Sequence, residues 1–102
     1  MEKDFDVSVF CKTLNIILGK ELATDNAPAL TEELEKYRYE KIDKIVFDAT
    51  NLEYISSCGV RVIVLCIQQF EHPEIEFVNT GRRIVEVFEM TGLNRVIKFV
   101  KR

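Results

Sequence analysis

No apolar run in this chain approaches the roughly 18 residues that a membrane-crossing helix needs. The opening residues, MEKDFDVSVF, carry early acids and lack the apolar stretch of a signal peptide, so the chain reads as unprocessed and cytoplasmic. An excess of basic charge is also missing. The formal net charge is −3 and the isoelectric point about 5.2, which argues against a nucleic-acid binder, since those carry a basic face. The four glycines are scattered, so no phosphate-cradling loop is expected. There is one histidine, His72, beside Pro73 at an expected helix end, where a surface position is the plain reading. The three cysteines, Cys11, Cys58 and Cys66, are odd in number and lack metal-ligand spacing, which suits free thiols in a reducing compartment. No metal or other cofactor is expected, and no enzyme constellation stands out. Repeats, linkers and low-complexity segments are absent too.

What is present is enough for a core. In 102 residues, 47% are hydrophobic, which points to one domain needing neither disulfides nor metal. Asp6 to Lys12 alternates as a half-buried strand does, with Val7, Val9 and Cys11 on one face. Leu14 to Leu18 follows as a second strand broken by Gly19. The two fit a hairpin turning at Lys12 and Thr13, although no Asn-Gly turn signal is present. Gly19 to Asn26 reads as a loop. A helix follows from Ala27 to Tyr39, capped by Asp25 or Asn26, with Pro28 in its first turn and Leu30, Leu34 and Tyr37 as its apolar stripe. Its acids read as a solvated face, with Glu32 and Lys36 as an i,i+4 pair.

Ile45 to Phe47 is a short buried strand closed by Asp48, and Ala49 to Tyr54 a loop. A helix then starts at Ser56 or Ser57 and runs to Phe70. Serine suits such a start because its hydroxyl accepts a hydrogen bond from a first-turn N–H. The helix is apolar almost all round. Arg61 and Gln68 share one face, which would also expose Val64 or Leu65. Deep burial and a docking surface are both consistent with that pattern. Glu76 to Val78 is a further strand and Arg82 to Met90 a helix ended by Gly92. Val96 to Val100 is the last strand, with Lys101 and Arg102 expected to fray. The order ββαβαβαβ implies a mixed, mostly parallel sheet with helices packed on it and an antiparallel hairpin at one edge.

Few residues offer chemistry. Asp48 ends a central strand, where α/β sheets place functional groups, but it has no evident partner. Cys58 falls in the first turn of the serine-started helix, so a redox role is one reading and a small packed side chain the other. Ser57 is the stronger candidate. A serine at a helix start is most simply a cap. A phosphoryl group there would nonetheless be tolerated, because about −1.5 to −2 charges would meet the positive end of the helix dipole.

At these residues the chain resembles a STAS domain (sulphate transporter and anti-sigma factor antagonist), and most of all the bacterial anti-sigma factor antagonists. FDATNLEYISSCGVRVIVL, Phe47 to Leu65, resembles the family's strand-loop-serine-helix motif. Gly19 to Leu22 resembles its G-x-L-D turn, and Val78 to Val100 its closing helix, T-G-L turn and last strand. The resemblance implies a single STAS-like domain over residues 1–102 and a regulator rather than an enzyme. It implies an unmodified form that binds an anti-sigma factor which is also a serine kinase, phosphorylation of Ser57 that releases it, and a PP2C-type phosphatase that resets it. The docking surface would comprise Ser56, Ser57, Cys58, Gly59 and Arg61. No direct nucleic-acid partner and no membrane insertion are implied, and exposed apolar surface on the serine-started helix is compatible with a weak homodimer. Two family acids are replaced: one by Ser56, the other by Ala23, with one residue inserted before Leu22. Those departures leave a second reading, a STAS interaction module of a larger lipid-transport or stress assembly that is never phosphorylated.

Overall fold

The computed structural model describes residues 5–71 and 73–102. His72 and the first four residues lie outside that range. A five-stranded sheet runs in the order β1-β2-β4-β6-β7. Its strands are β1 (Phe5–Phe10), β2 (Thr13–Leu18), β4 (Lys44–Asp48), β6 (Glu74–Val78) and β7 (Ile97–Val100). β1 pairs antiparallel with β2, and every other neighbour is parallel. Each parallel step crosses over through one helix: α1 (Ala27–Glu35), α2 (Ser57–Gln69) and α3 (Arg82–Thr91). The strand order grows in one direction only, so right-handed crossovers place all three helices on the same face. This is the expected mixed sheet.

That face holds the core. Leu14, Ile16 and Leu18 of β2 stand beside Ile45 and Phe47 of β4, Ile75 and Phe77 of β6, and Ile97 of β7. Leu30 and Leu34 of α1, Val62, Ile63 and Cys66 of α2, and Ile84 and Phe88 of α3 close over them. Phe77 is the hub: it stacks on Phe47 at 4.6 Å between ring centres and meets Phe88 edge-on at 4.9 Å. Such pairs add about 0.5–1.5 kcal/mol beyond the area they bury. Burial also pushes the Cys66 thiol up to about 12, which keeps it protonated.

Among the described residues no helix covers the sheet's other face, which carries polar and mixed side chains. Glu76 lies there, almost buried, between Lys44 at 2.9 Å and Arg102 at 3.4 Å. The hydrogen bond and charge of Lys44 hold its carboxyl below the usual carboxylate range, against the opposing effect of burial, and Arg102 and Lys98 assist.

Several local expectations are corrected. The hairpin turns at Cys11 and Lys12, both left-handed at φ 49° and 63°, so Cys11 is an exposed turn residue and not an inward strand residue. Two positive φ values match the twist of the flanking strands, but they cost non-glycine residues about 1–2 kcal/mol each. α1 ends at Glu35, four residues early. Lys36, Tyr37 and Arg38 each donate to the carbonyl three residues back, which tightens the chain into turns. Lys36 pairs with Glu33 at 2.9 Å and not with Glu32. Lys101 and Arg102 lie beyond β7 and are exposed, and the Arg102 backbone N–H donates to Asn79 Oδ1 at 2.9 Å. Val96 falls outside β7 and follows a 3-10 turn, Leu93–Arg95. Gly92, at φ 81°, ends α3 in the expected left-handed conformation.

Candidate functional site

The serine pair stands at the carboxyl end of the parallel strands. β2 and β4 are parallel neighbours, so the segments leaving them run side by side. They form a second, two-stranded parallel sheet, β3 (Glu21–Leu22) against β5 (Tyr54–Ile55), within stretches expected to be loops. Glu53 and Tyr54 N–H both donate to the Lys20 carbonyl, and Ser56 N–H donates to the Leu22 carbonyl at 3.0 Å. Two-residue strands carry no periodicity, so nothing in the sequence marked them.

Asn26 holds the first of these segments in place. It occupies the N-cap position of α1, as expected, but its side chain does not cap the helix. Its Oδ1 accepts from Ala23 N–H at 2.8 Å, and its Nδ2 donates to the Glu21 carbonyl at 2.8 Å. Gly59 holds the other side. A Cβ there would lie 2.3 Å from the Leu22 carbonyl oxygen and 2.8 Å from Ile55 Cγ1, so only glycine lets α2 approach β3 this closely.

The two serines divide the work. Ser56 is the N-cap: its Oγ accepts from Gly59 N–H at 3.3 Å, and its carbonyl accepts from Val60 N–H. The cap therefore rests on Ser56 and not on Ser57. Ser57 is the first residue of α2 and is exposed, at the positive end of the helix dipole. Cys58 is exposed beside it, and Thr24 Oγ1 of the neighbouring loop lies 3.6 Å from its Sγ. Further along α2, Arg61, Leu65 and Gln68 are exposed at helical spacing, while Val64 is half-buried. The outward face of α2 thus carries Leu65, 42% exposed. Of the five expected site residues, Ser57, Cys58 and Arg61 reach solvent, Ser56 braces the helix start, and Gly59 is buried and shapes the loop contact. Thr24 and Tyr54, the latter 55% exposed, join the surface through the β3–β5 pairing that the sequence did not reveal.

Asp48 is committed to structure. Its Oδ1 accepts from Thr50 N–H and Thr50 Oγ1, and Thr50 Oγ1 accepts in turn from Asn79 Nδ2. These bonds stitch together the carboxyl ends of β4 and β6, and Asn79 N–H, donating to the Val100 carbonyl, adds β7. All three cysteines are free. Among the described residues there is no cluster of three or more His, Cys, Asp or Glu side chains that could hold a metal, and no helix is long and apolar enough to cross a membrane.

Known proteins share this arrangement. The STAS domain family pattern matches residues 9–102. The anti-sigma-B factor antagonist of Listeria monocytogenes is 29% identical over 87 residues, covering 83% of this chain and 76% of the relative. The Bacillus cell fate determinant SpoIIAA in its phosphorylated form superposes with a TM-score of 0.74 at 18% identity, covering 93% of this chain and 89% of that one. Its unphosphorylated form gives 0.79 at 17% identity, covering 93% and 86%. At such identities the superpositions speak for the fold, and the family match over residues 9–102 speaks for descent: the chain belongs to the STAS domain family.

Proposed function

We propose that the chain is an anti-sigma factor antagonist switched by phosphorylation of Ser57. One observation carries the reading. Of two adjacent serines, Ser56 spends its hydroxyl on the helix cap, while Ser57 stands exposed on the first turn of α2. The names of the relatives support it. The Listeria protein is called an anti-sigma-B factor antagonist, and SpoIIAA was solved with and without phosphorylation.

In the unmodified state, Ser57, Cys58 and Arg61 dock an anti-sigma factor that is also a serine kinase, with Ser56 and Gly59 holding the surface in shape. The kinase transfers the γ-phosphoryl group of its ATP to Ser57 Oγ. The new O–P bond replaces the bond to ADP, and the hydroxyl proton leaves to a base on the kinase. The phosphoserine adds about −1.5 to −2 charges. α2 tolerates them because they face its free N–H groups and positive dipole end. The partner surface does not, since it meets new charge and bulk at its centre. A PP2C-type phosphatase hydrolyses the ester and restores the binding form.

Capture of partners from the native cell, with intact mass of the recovered protein, tests this. The expected result is a kinase bound only to unmodified chain, and one phosphoryl group mapped to Ser57 in the unbound fraction. Ser57→Asp should fold normally and lose the kinase; binding as tight as wild type would refute the charge switch. Ser57→Ala should bind and take up no phosphate. The replacement of two family acids by Ser56 and Ala23 favours the other reading, an unphosphorylated module of a larger assembly. Recovery of unmodified chain within a membrane or multi-subunit complex would establish that one instead.

A further inference from the structure

At the opposite end of the sheet a second surface is assembled. There the hairpin turn between β1 and β2 faces the turns that follow α1. The two bound a groove of about 500 Å³ lined by Val9, Lys12, Lys36, Tyr39, Glu40 and Lys41. Three ammonium groups meet one carboxylate on this lining, on a chain whose net charge is −3. Glu33 takes up part of the Lys36 charge at 2.9 Å. Among the described residues, neither Lys12 nor Lys41 has an ion-pair partner within 4.0 Å. Val9 supplies an apolar wall. Tyr39 stands beside it 93% exposed, an amphipathic ring of the kind enriched at the centres of protein interfaces.

The placement of Lys12 is held by the fold. It sits in a left-handed conformation that glycine or asparagine would fill more easily, and its carbonyl accepts from Asp43 N–H at 2.9 Å. The groove is open and its lining is polar and apolar in equal measure, which suits a segment laid along it better than an enclosed small molecule. A nucleic-acid strand carries a phosphate at every nucleotide and would run past the patch onto the acidic remainder of the chain, whereas a short acidic segment ends within it.

We infer that this groove docks an acidic segment of a partner protein, Glu- or Asp-rich and carrying an apolar side chain for Val9 and Tyr39. The site is independent of the Ser57 switch. Ser57 lies beyond the carboxyl ends of β2 and β4 and the groove beyond their amino ends, so both can be occupied at once.

The test is an NMR titration of the full chain with a short Glu-rich peptide containing a single leucine. Amide shifts should be confined to residues 9–12 and 36–41. The affinity should fall about fivefold or more between about 50 mM and about 300 mM salt. Binding should be lost in the double variant Lys12→Gly, Lys41→Glu. Glycine removes the Lys12 charge while suiting the left-handed backbone, so that loss cannot be assigned to unfolding. The inference is overturned by shifts elsewhere or none, by equal shifts from inorganic phosphate at matched ionic strength, by retention of binding in the double variant, or by tighter binding of a short single-stranded oligonucleotide.

Discussion

Replacing Gly59 by alanine adds one methyl group at the tightest contact of the serine site. The new Cβ would stand 2.3 Å from the Leu22 carbonyl oxygen, about 1 Å short of ordinary contact, and 2.8 Å from Ile55 Cγ1. Ile55 can rotate away in part, but Leu22 cannot: its obstructing atom is backbone. β3 must therefore move off α2. That movement strains the Ser56 N–H to Leu22 O bond and the short β3–β5 pairing. Overpacking of this kind costs about 1–3 kcal/mol, and the weakened hydrogen bond adds about 1. Alanine returns up to about 1 kcal/mol through its better helix propensity, less in a first turn. Gly59→Ala should thus be less stable by about 1–3 kcal/mol. Urea denaturation followed by circular dichroism measures this directly, as a lower midpoint at unchanged slope. A variant as stable as wild type, or more so, would refute the close approach of α2 to β3 and with it the account of how the serine pair is positioned.

The division between the serines gives a paired expectation. Ser56→Ala should cost about 1 kcal/mol as a lost cap, whereas Ser57→Ala should stay within about 0.5 kcal/mol as a surface change; equal losses in urea melts would contradict the assignment of the cap. Asn26→Ala strands the Ala23 N–H and the Glu21 carbonyl, and should cost about 1–3 kcal/mol. Protease nicking within residues 20–25 should quicken in that variant, and an unchanged rate would count against the role given to Asn26. Glu76, whose carboxyl is held below its ordinary 4.5 chiefly by the Lys44 hydrogen bond, stabilises the fold above that pH. The contribution should fade as pH falls from about 4.5 through the lower folded value. Glu76→Gln should therefore flatten the acid limb of the stability profile, and a profile parallel to wild type below pH 4.5 would show that the ion cluster plays no part.

The larger elements were legible because their signals are periodic or compositional. Buried runs such as Ile45 to Phe47, the stripe of Leu30 and Leu34, and the Gly92 stop all reappear where they were expected. Smaller features were not legible, each for a physical reason. The Cys11–Lys12 turn adopts a geometry normally announced by Asn-Gly, and the hairpin imposes it on residues that resist it. The end of α1 at Glu35 has no mark in the sequence, since Lys36 to Tyr39 contain no helix breaker; there Gln69 Nε2, from α2, donates to the Leu34 carbonyl at 2.8 Å. At the site, the serine pair and the helix behind it were visible. Which serine caps turns on one local bond, from Gly59 N–H to Ser56 Oγ, and which loop lies against Cys58 depends on backbone bonds that join residues 53–56 to Lys20 and Leu22. Leu65 was singled out together with Val64, and the packing of α2 decided between them.

The strand order has a further consequence, for how the chain assembles. Because the five-stranded sheet grows in one direction from β2 through β4 and β6 to β7, each of its strands after β1 finds a neighbour that precedes it in the chain. Once β1 and β2 have paired, each crossover adds one strand to an edge of that sheet that already exists. Synthesis from the amino end can therefore extend the sheet strand by strand. Arg102, just beyond β7, fastens the newest strand: its backbone N–H donates to Asn79 Oδ1, and its side chain supplies Glu76 with a second cation.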